Sequence, residues 1–126
     1  MLGQAVQVVS FPVAMANKLS AWNERMLVRD LYDLYFYFSM LKSMPDMGVL
    51  RRRLSKVAST PRNRNPERMS VDELVAKLRT RLTHLGSEDV LELQDYLPVG
   101  EIEGLDTKLR VQLLLFCEQL EKAESS

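Results

Sequence analysis

Lys18, Arg25, Arg29, Asp30 and Asp33 fall within sixteen positions that lead into a run of aromatic residues, Tyr32, Tyr35, Phe36, Tyr37 and Phe38. At about 100° per residue on a helix, Lys18, Trp22, Arg25 and Arg29 lie close to one line, with Asp33 near its edge. Asp30 and Asp33, three apart, project from a shared side. An ammonium is a compact charge for phosphate oxygens, and a carboxylate beside it can take a proton or steer a hydroxyl. Cations and carboxylates gathered around one tryptophan therefore fit a place where a phosphate meets an acid or base function. The same residues are also the makings of a surface ladder, since Arg29 and Asp33 are four apart and can pair. The aromatic residues read as core and rim packing, and Trp22 as either packing or the lining of a cleft.

The elements that must position these groups are mostly helical. Ala5 to Phe11 is the one β signal, with Val6, Val8 and Val9 favouring a strand that Ser10 and Pro12 close. A lone strand has to pair with something, either another copy or a sheet whose other members lie outside this chain. Pro12 suits the first turn of a helix running to about Glu24. A second helix is expected from Leu27 to Ser43, with Leu27, Leu31, Leu34, Phe38 and Leu41 as its stripe and Pro45 ending it. The pattern does not say whether these two helices are continuous or broken near Arg25.

Downstream, Met47 to Val57 predicts a third helix, and residues 59–69 read as a loop. Ser70-Val71-Asp72-Glu73 is a capping box that starts a helix with Val71, Leu74, Leu78 and Leu82 inward. Ser87-Glu88-Asp89 opens a short helix to about Tyr96, and Pro98 to Gly104 reads as a turn. A last helix from Asp106 to about Glu121 has Leu109, Leu113, Phe116 and Leu120 inward. The expectation is a mainly α protein, a single helical domain over residues 1–126 with five or six helices and one N-terminal β-strand. Its parts are the strand over 1–11, the charged helices over 12–43, a basic helix and loop over 44–69, and a helical tail over 70–126.

Composition narrows the function. Lys and Arg number 17 and Asp and Glu 17, so the formal charge is zero, but residues 1–85 carry net +7 and residues 86–126 net −7. Between residues 51 and 68 there are seven cations and one acid. Arg51, Arg52, Arg53, Arg62, Arg64 and Arg68 could meet RNA phosphates, an acidic partner or only water. The single cysteine, Cys117, excludes an internal disulfide and suits a reducing compartment. It reads as inert core, and His84, without metal-ligand spacing, as a helix-end residue. Apolar runs such as 113–116 are too short to span a bilayer, and the N-terminus lacks a signal-peptide pattern. A cytoplasmic protein with no membrane association is the expectation.

The order of strand, helix with Lys18, Ala21 and Arg25, then Arg29-Asp30 and Asp33-Leu34-Tyr35 resembles the C-terminal part of the AbiEii-type nucleotidyltransferase toxins. These are the toxic members of bacterial toxin–antitoxin and phage-defence pairs. The resemblance rests on residues 5 to 41, with Val6–Val9 as the preceding strand. It implies transfer of a nucleoside monophosphate from an NTP to an acceptor, plausibly RNA, with Mg²⁺ as cofactor. It also implies that Lys18 touches the triphosphate, with Arg25 and Arg29 as further nucleotide contacts. Asp30 or Asp33 would act as base or orient the lysine.

Polymerase-like nucleotidyltransferases carry a Gly-Ser motif and an Asp-x-Asp pair whose carboxylates hold the metal. These 126 residues contain no such segment; Gly86-Ser87 leads into Glu88-Asp89 instead. The chain is thus expected to be the C-terminal portion of such an enzyme, as a fragment, a truncated gene or a separate subunit. It would be inactive alone and completed by an N-terminal half, with an antitoxin as a further partner. The competing expectation is a non-catalytic helical module that binds RNA or a protein through its basic surface.

Overall fold

The computed structural model describes residues 10–55 and 69–125. Among them are seven α-helices and no strand. Residues 5–9 of the expected strand, Val57 of the expected third helix, and Arg62, Arg64 and Arg68 lie outside the described residues. Phe11, expected to end the strand, is instead the first residue of a helix.

Helix α1, Phe11–Arg25, begins where Ser10 accepts a hydrogen bond from the Val13 amide, with Pro12 in its first turn. It ends at Met26, a left-handed residue (φ 57°, ψ 33°) whose N–H donates to the Trp22 carbonyl at 2.6 Å. A non-glycine residue in this conformation costs roughly 1–2 kcal/mol. Leu27 is extended, and α2, Val28–Tyr35, then starts in a new direction. The expected second helix is shorter than its apolar stripe implied. After Tyr35 it widens into a π turn, Phe36–Met40, with the Leu41 N–H bonding to Phe36 five residues back. The Ser39 hydroxyl donates to the Tyr35 carbonyl at 2.6 Å. That back-bond competes for the helical acceptor where four aromatic side chains are crowded.

Helix α3 is Met47–Ser55, its amide at Val49 capped by Asp46 at 3.0 Å. Helix α4, Val71–Thr83, starts with the capping box between Ser70 and Glu73. Helix α5, Ser87–Val90, is capped at Gly86 rather than by a serine, Asp89 Oδ2 accepting the Gly86 amide at 2.8 Å. A 3₁₀ turn follows over Leu91–Leu93. The segment read as a turn contains a short helix, α6, Val99–Ile102, and α7 runs from Leu105 to Ser125.

Helices α4 and α7 form the principal pair, and α1 packs on α3 and α2. The core gathers Met15, Leu19 and Trp22 of α1, Leu31 and Leu34 of α2, and Leu50 and Leu54 of α3. Val71, Leu74, Leu78 and Leu82 of α4 meet Leu109, Leu113, Phe116 and Leu120 of α7 in the same core. These inward residues recur at three and four spacing, so each helix buries one stripe. Phe38 packs on Phe116 with ring centroids 5.3 Å apart. Tyr32, Tyr35 and Tyr37 lie half-buried against the core, while Phe36 is exposed. Cys117 is buried, and burial pushes its thiol up to about 12, so it stays protonated and unreactive.

The uneven charge along the sequence is partly neutralised by folding. Arg51 of α3 pairs with Glu124 at 3.0 Å, Arg79 of α4 with Glu121, and Arg81 with Asp89 at 3.1 Å. The acidic tail lies back on the basic front. Each such exposed pair contributes about 0–1 kcal/mol, so they set the packing register more than the stability. No helix among the described residues is long and apolar enough to cross a membrane.

Candidate functional site

On one unbroken helix, Lys18 and Asp30 would stand about 18 Å apart along the axis. In the fold they touch. Lys18 Nζ lies 3.4 Å from Asp30 Oδ1 and 2.9 Å from Asp33 Oδ2, and Arg25 Nη2 lies 2.8 Å from Asp30 Oδ1. The cause is the left-handed residue at Met26, which turns α2 back beside the end of α1. Two cations from α1 thus meet two carboxylates from α2.

The four groups are not equivalent. Asp30 is fully buried, whereas the side chains of Lys18 and Asp33 are 27% and 36% exposed. Asp30 holds both cations through Oδ1, and Oδ2 is buried without a hydrogen-bond partner. Burial works to lower the Lys18 pKa, but the hydrogen bonds and charges of Asp33 and Asp30 outweigh it and hold the ammonium above the ordinary lysine value. Lys18 is therefore a partly exposed cation at neutral pH.

Other residues expected on the same line do not join the cluster. The break removes Arg29, whose guanidinium lies 6.0 Å from the Tyr96 ring centroid, and Asp33 pairs with Lys18 rather than with Arg29. Trp22 is wholly buried and belongs to the core, with its Nε1 unpartnered. Arg51, Arg52 and Arg53 are exposed on α3. Arg51 is held by Glu124, Arg53 donates to Asn17 Oδ1 at 3.0 Å, and Arg52 reaches the Gly48 carbonyl at 3.4 Å. None of the three joins the ion pairs of the Lys18 cluster, although Arg53 reaches Asn17, the neighbour of Lys18 on α1. His84 caps α4, its Nδ1 2.8 Å from the Thr80 carbonyl.

Lys77 of α4 was not singled out in the sequence. Its Nζ donates to the Asn23 carbonyl and to Asn23 Oδ1, both at 2.8 Å, and sits 5.8 Å from the Trp22 ring centroid. Asn23 and Lys77 are 54 positions apart, so no local pattern could have paired them.

The Mg²⁺ implied by the resemblance does not fit these residues. Among the described residues no group of three or more His, Cys, Asp or Glu side chains could hold a metal. Asp30 Oδ1 and Asp33 Oδ2 are already taken by cations. What the cluster can do is present an ammonium, and beside it a guanidinium, in fixed positions to an anion.

No curated protein and no solved structure matches the chain. A family model does match, described as nucleotidyl transferase AbiEii toxin of a type IV toxin–antitoxin system, and it covers residues 2–110. The match takes in the helix break, the basic helix α3, all of α4 and the start of α7, well beyond the segment that carries the charged motif. The chain belongs to the AbiEii nucleotidyl transferase toxin family.

Proposed function

We propose that this chain supplies the C-terminal, phosphate-contacting portion of a nucleotidyltransferase toxin that moves a nucleotide from an NTP to an acceptor such as RNA. The observation that carries this reading is Asp30. A carboxylate that merely stabilised a surface ladder would stay in water and use both oxygens. Asp30 is instead fully buried, holds Lys18 and Arg25 across a strained helix break, and leaves Oδ2 unpartnered. An unsatisfied buried acceptor costs about 1–3 kcal/mol, a cost more easily understood at a site that needs the geometry.

In this reading Lys18 meets the triphosphate and Arg25 adds a second cation. Asp30 positions both, and Asp33, on the exposed side, is the carboxylate that an acceptor hydroxyl can reach. Arg29, outside the cluster, has no direct part. The exposed face of Arg51, Arg52 and Arg53 is a surface for the acceptor's phosphates, and the antitoxin is the remaining partner.

The 126 residues alone are expected to transfer nothing, since they contain no Gly-Ser and Asp-x-Asp segment. Joined to a segment that carries it, they should become active. Incorporation of labelled NTP into RNA, with and without that segment, is the test. Transfer by the isolated chain would overturn the division of labour. Inactivity of a folded, joined protein would favour the alternative, a helical module that binds RNA or a protein without catalysis.

A further inference from the structure

The end of α1 and the outer face of α4 form a shallow hollow of about 420 Å³, lined by Met26, Lys77, Thr80, Arg81 and His84. None of these residues belongs to the Lys18 cluster, although Met26 directly follows Arg25. The walls are largely apolar, and the polar groups among them are Lys77, Arg81, His84 and the Thr80 hydroxyl, which donates to the Ala76 carbonyl. Of the Lys and Arg side chains lining the hollow, Arg81 has a carboxylate partner, whereas among the ion pairs of the described residues no carboxylate pairs with Lys77. Two of its three N–H donors are used by Asn23, which leaves one for a ligand. Burial holds its pKa below the ordinary lysine value, and an arriving anion would offset that desolvation.

The other lining groups complement an anion that also carries a flat ring. Arg81 is tied to Asp89 at 3.1 Å, which fixes it as part of the wall. The His84 Nδ1 proton is directed at the Thr80 carbonyl, so Nε2 is left for a ligand. Met26 is 38% exposed at its left-handed position, and its thioether is an adaptable, polarisable surface for an aromatic ring.

We propose that this hollow binds a nucleoside phosphate, with the base against Met26 and His84 and the phosphate on Lys77. The inference rests on the nucleotidyltransferase reading and adds a second nucleotide position to it, at the end of α1 where Met26 follows Arg25. The same chemistry is offered by a free nucleotide and by the end of a single-stranded RNA.

The intact 126-residue chain, labelled at its methionine methyl groups, can be titrated with AMP and with a short single-stranded RNA. Saturable movement of the Met26 methyl signal by AMP identifies a free-nucleotide site, and movement by the RNA alone identifies a strand-end site. Lys77→Gln is expected to weaken whichever probe binds by about tenfold or more, while Lys77→Arg stays within about threefold. Because Lys77 also supports Trp22, the exposed cap variant His84→Ala gives an independent reading, an expected loss of about three- to tenfold. An unmoved Met26 signal, an equal shift with sodium chloride at matched ionic strength, or undiminished binding by folded Lys77→Gln would overturn the inference. Transfer assays on Lys18 variants test the catalytic reading at other residues. Lost transfer with a silent Met26 would sink this inference alone, and a binding Met26 with full transfer by Lys18→Ala would sink the catalytic reading alone.

Discussion

Replacing Trp22 with alanine is expected to destabilise the chain by about 3–5 kcal/mol. Trp22 is wholly buried in the hydrophobic core, so its removal leaves a cavity that the neighbouring helices can only partly close. With domain stabilities of about 5–15 kcal/mol, that is a large share of the total. Trp22→Phe should cost far less. The indole N–H is buried without a partner, and deleting it removes a desolvation penalty of about 1–3 kcal/mol while most of the ring remains. Urea unfolding followed by circular dichroism gives both values. A Trp22→Ala loss under about 1 kcal/mol would mean that Trp22 is not packed in the core, and the tryptophan would return to the lining of a cleft.

Lys18→Ala, in a protein that carries the Asp-x-Asp segment, is expected to lower transfer by about 10²–10⁴ with little change in melting temperature. Lys18 is partly exposed, so its loss removes a positioned charge rather than a piece of the core. Asp30→Asn keeps the shape of the side chain but leaves Arg25 without its carboxylate and Lys18 with Asp33 alone. Its expected loss is about 10²-fold, from misplacement of both cations. Arg29→Ala is expected to stay within about threefold, because Arg29 faces Tyr96 and not the cluster. Rates of labelled-NTP incorporation, with melting curves beside them, decide this. Equal losses in the Arg29 and Lys18 variants would place Arg29 in the site with the other cations, and full transfer by both would return them to a surface ladder.

The helices of the tail were legible because each signal was local. The Ser70–Glu73 capping box and the leucine spacing of α4 and α7 set start points and inward faces within a few residues. That Lys18, Arg25, Asp30 and Asp33 gather was legible too, as charges close in sequence, but their arrangement was not. A straight helix lines up Lys18, Trp22, Arg25 and Arg29, and nothing in Arg25-Met26-Leu27 marks a break, since neither glycine nor proline is there. The break at Met26 is paid for by tertiary packing: it buries Asp30 against α1 and sends Arg29 elsewhere. One hint lay in the spacing. Arg25 and Asp30 are five apart, which on a helix puts them about 140° apart, so their pairing requires the chain to turn between them. Lys77 and Asn23 gave no hint, because their contact depends on how α4 crosses α1. The α2 stripe overran its helix because periodicity cannot register a π turn.

The claim that Lys18 meets the triphosphate is tested most directly by an acyl-phosphate derivative of ATP, which transfers its acyl group to a lysine lying at the phosphates. Applied to the joined protein at mildly alkaline pH, where part of the Lys18 amine is deprotonated and can attack with release of ATP, and read by mass spectrometry, it should modify Lys18, and excess unmodified NTP should protect that residue. Labelling of other lysines with Lys18 unmodified, in a protein that is folded and active, would contradict the account.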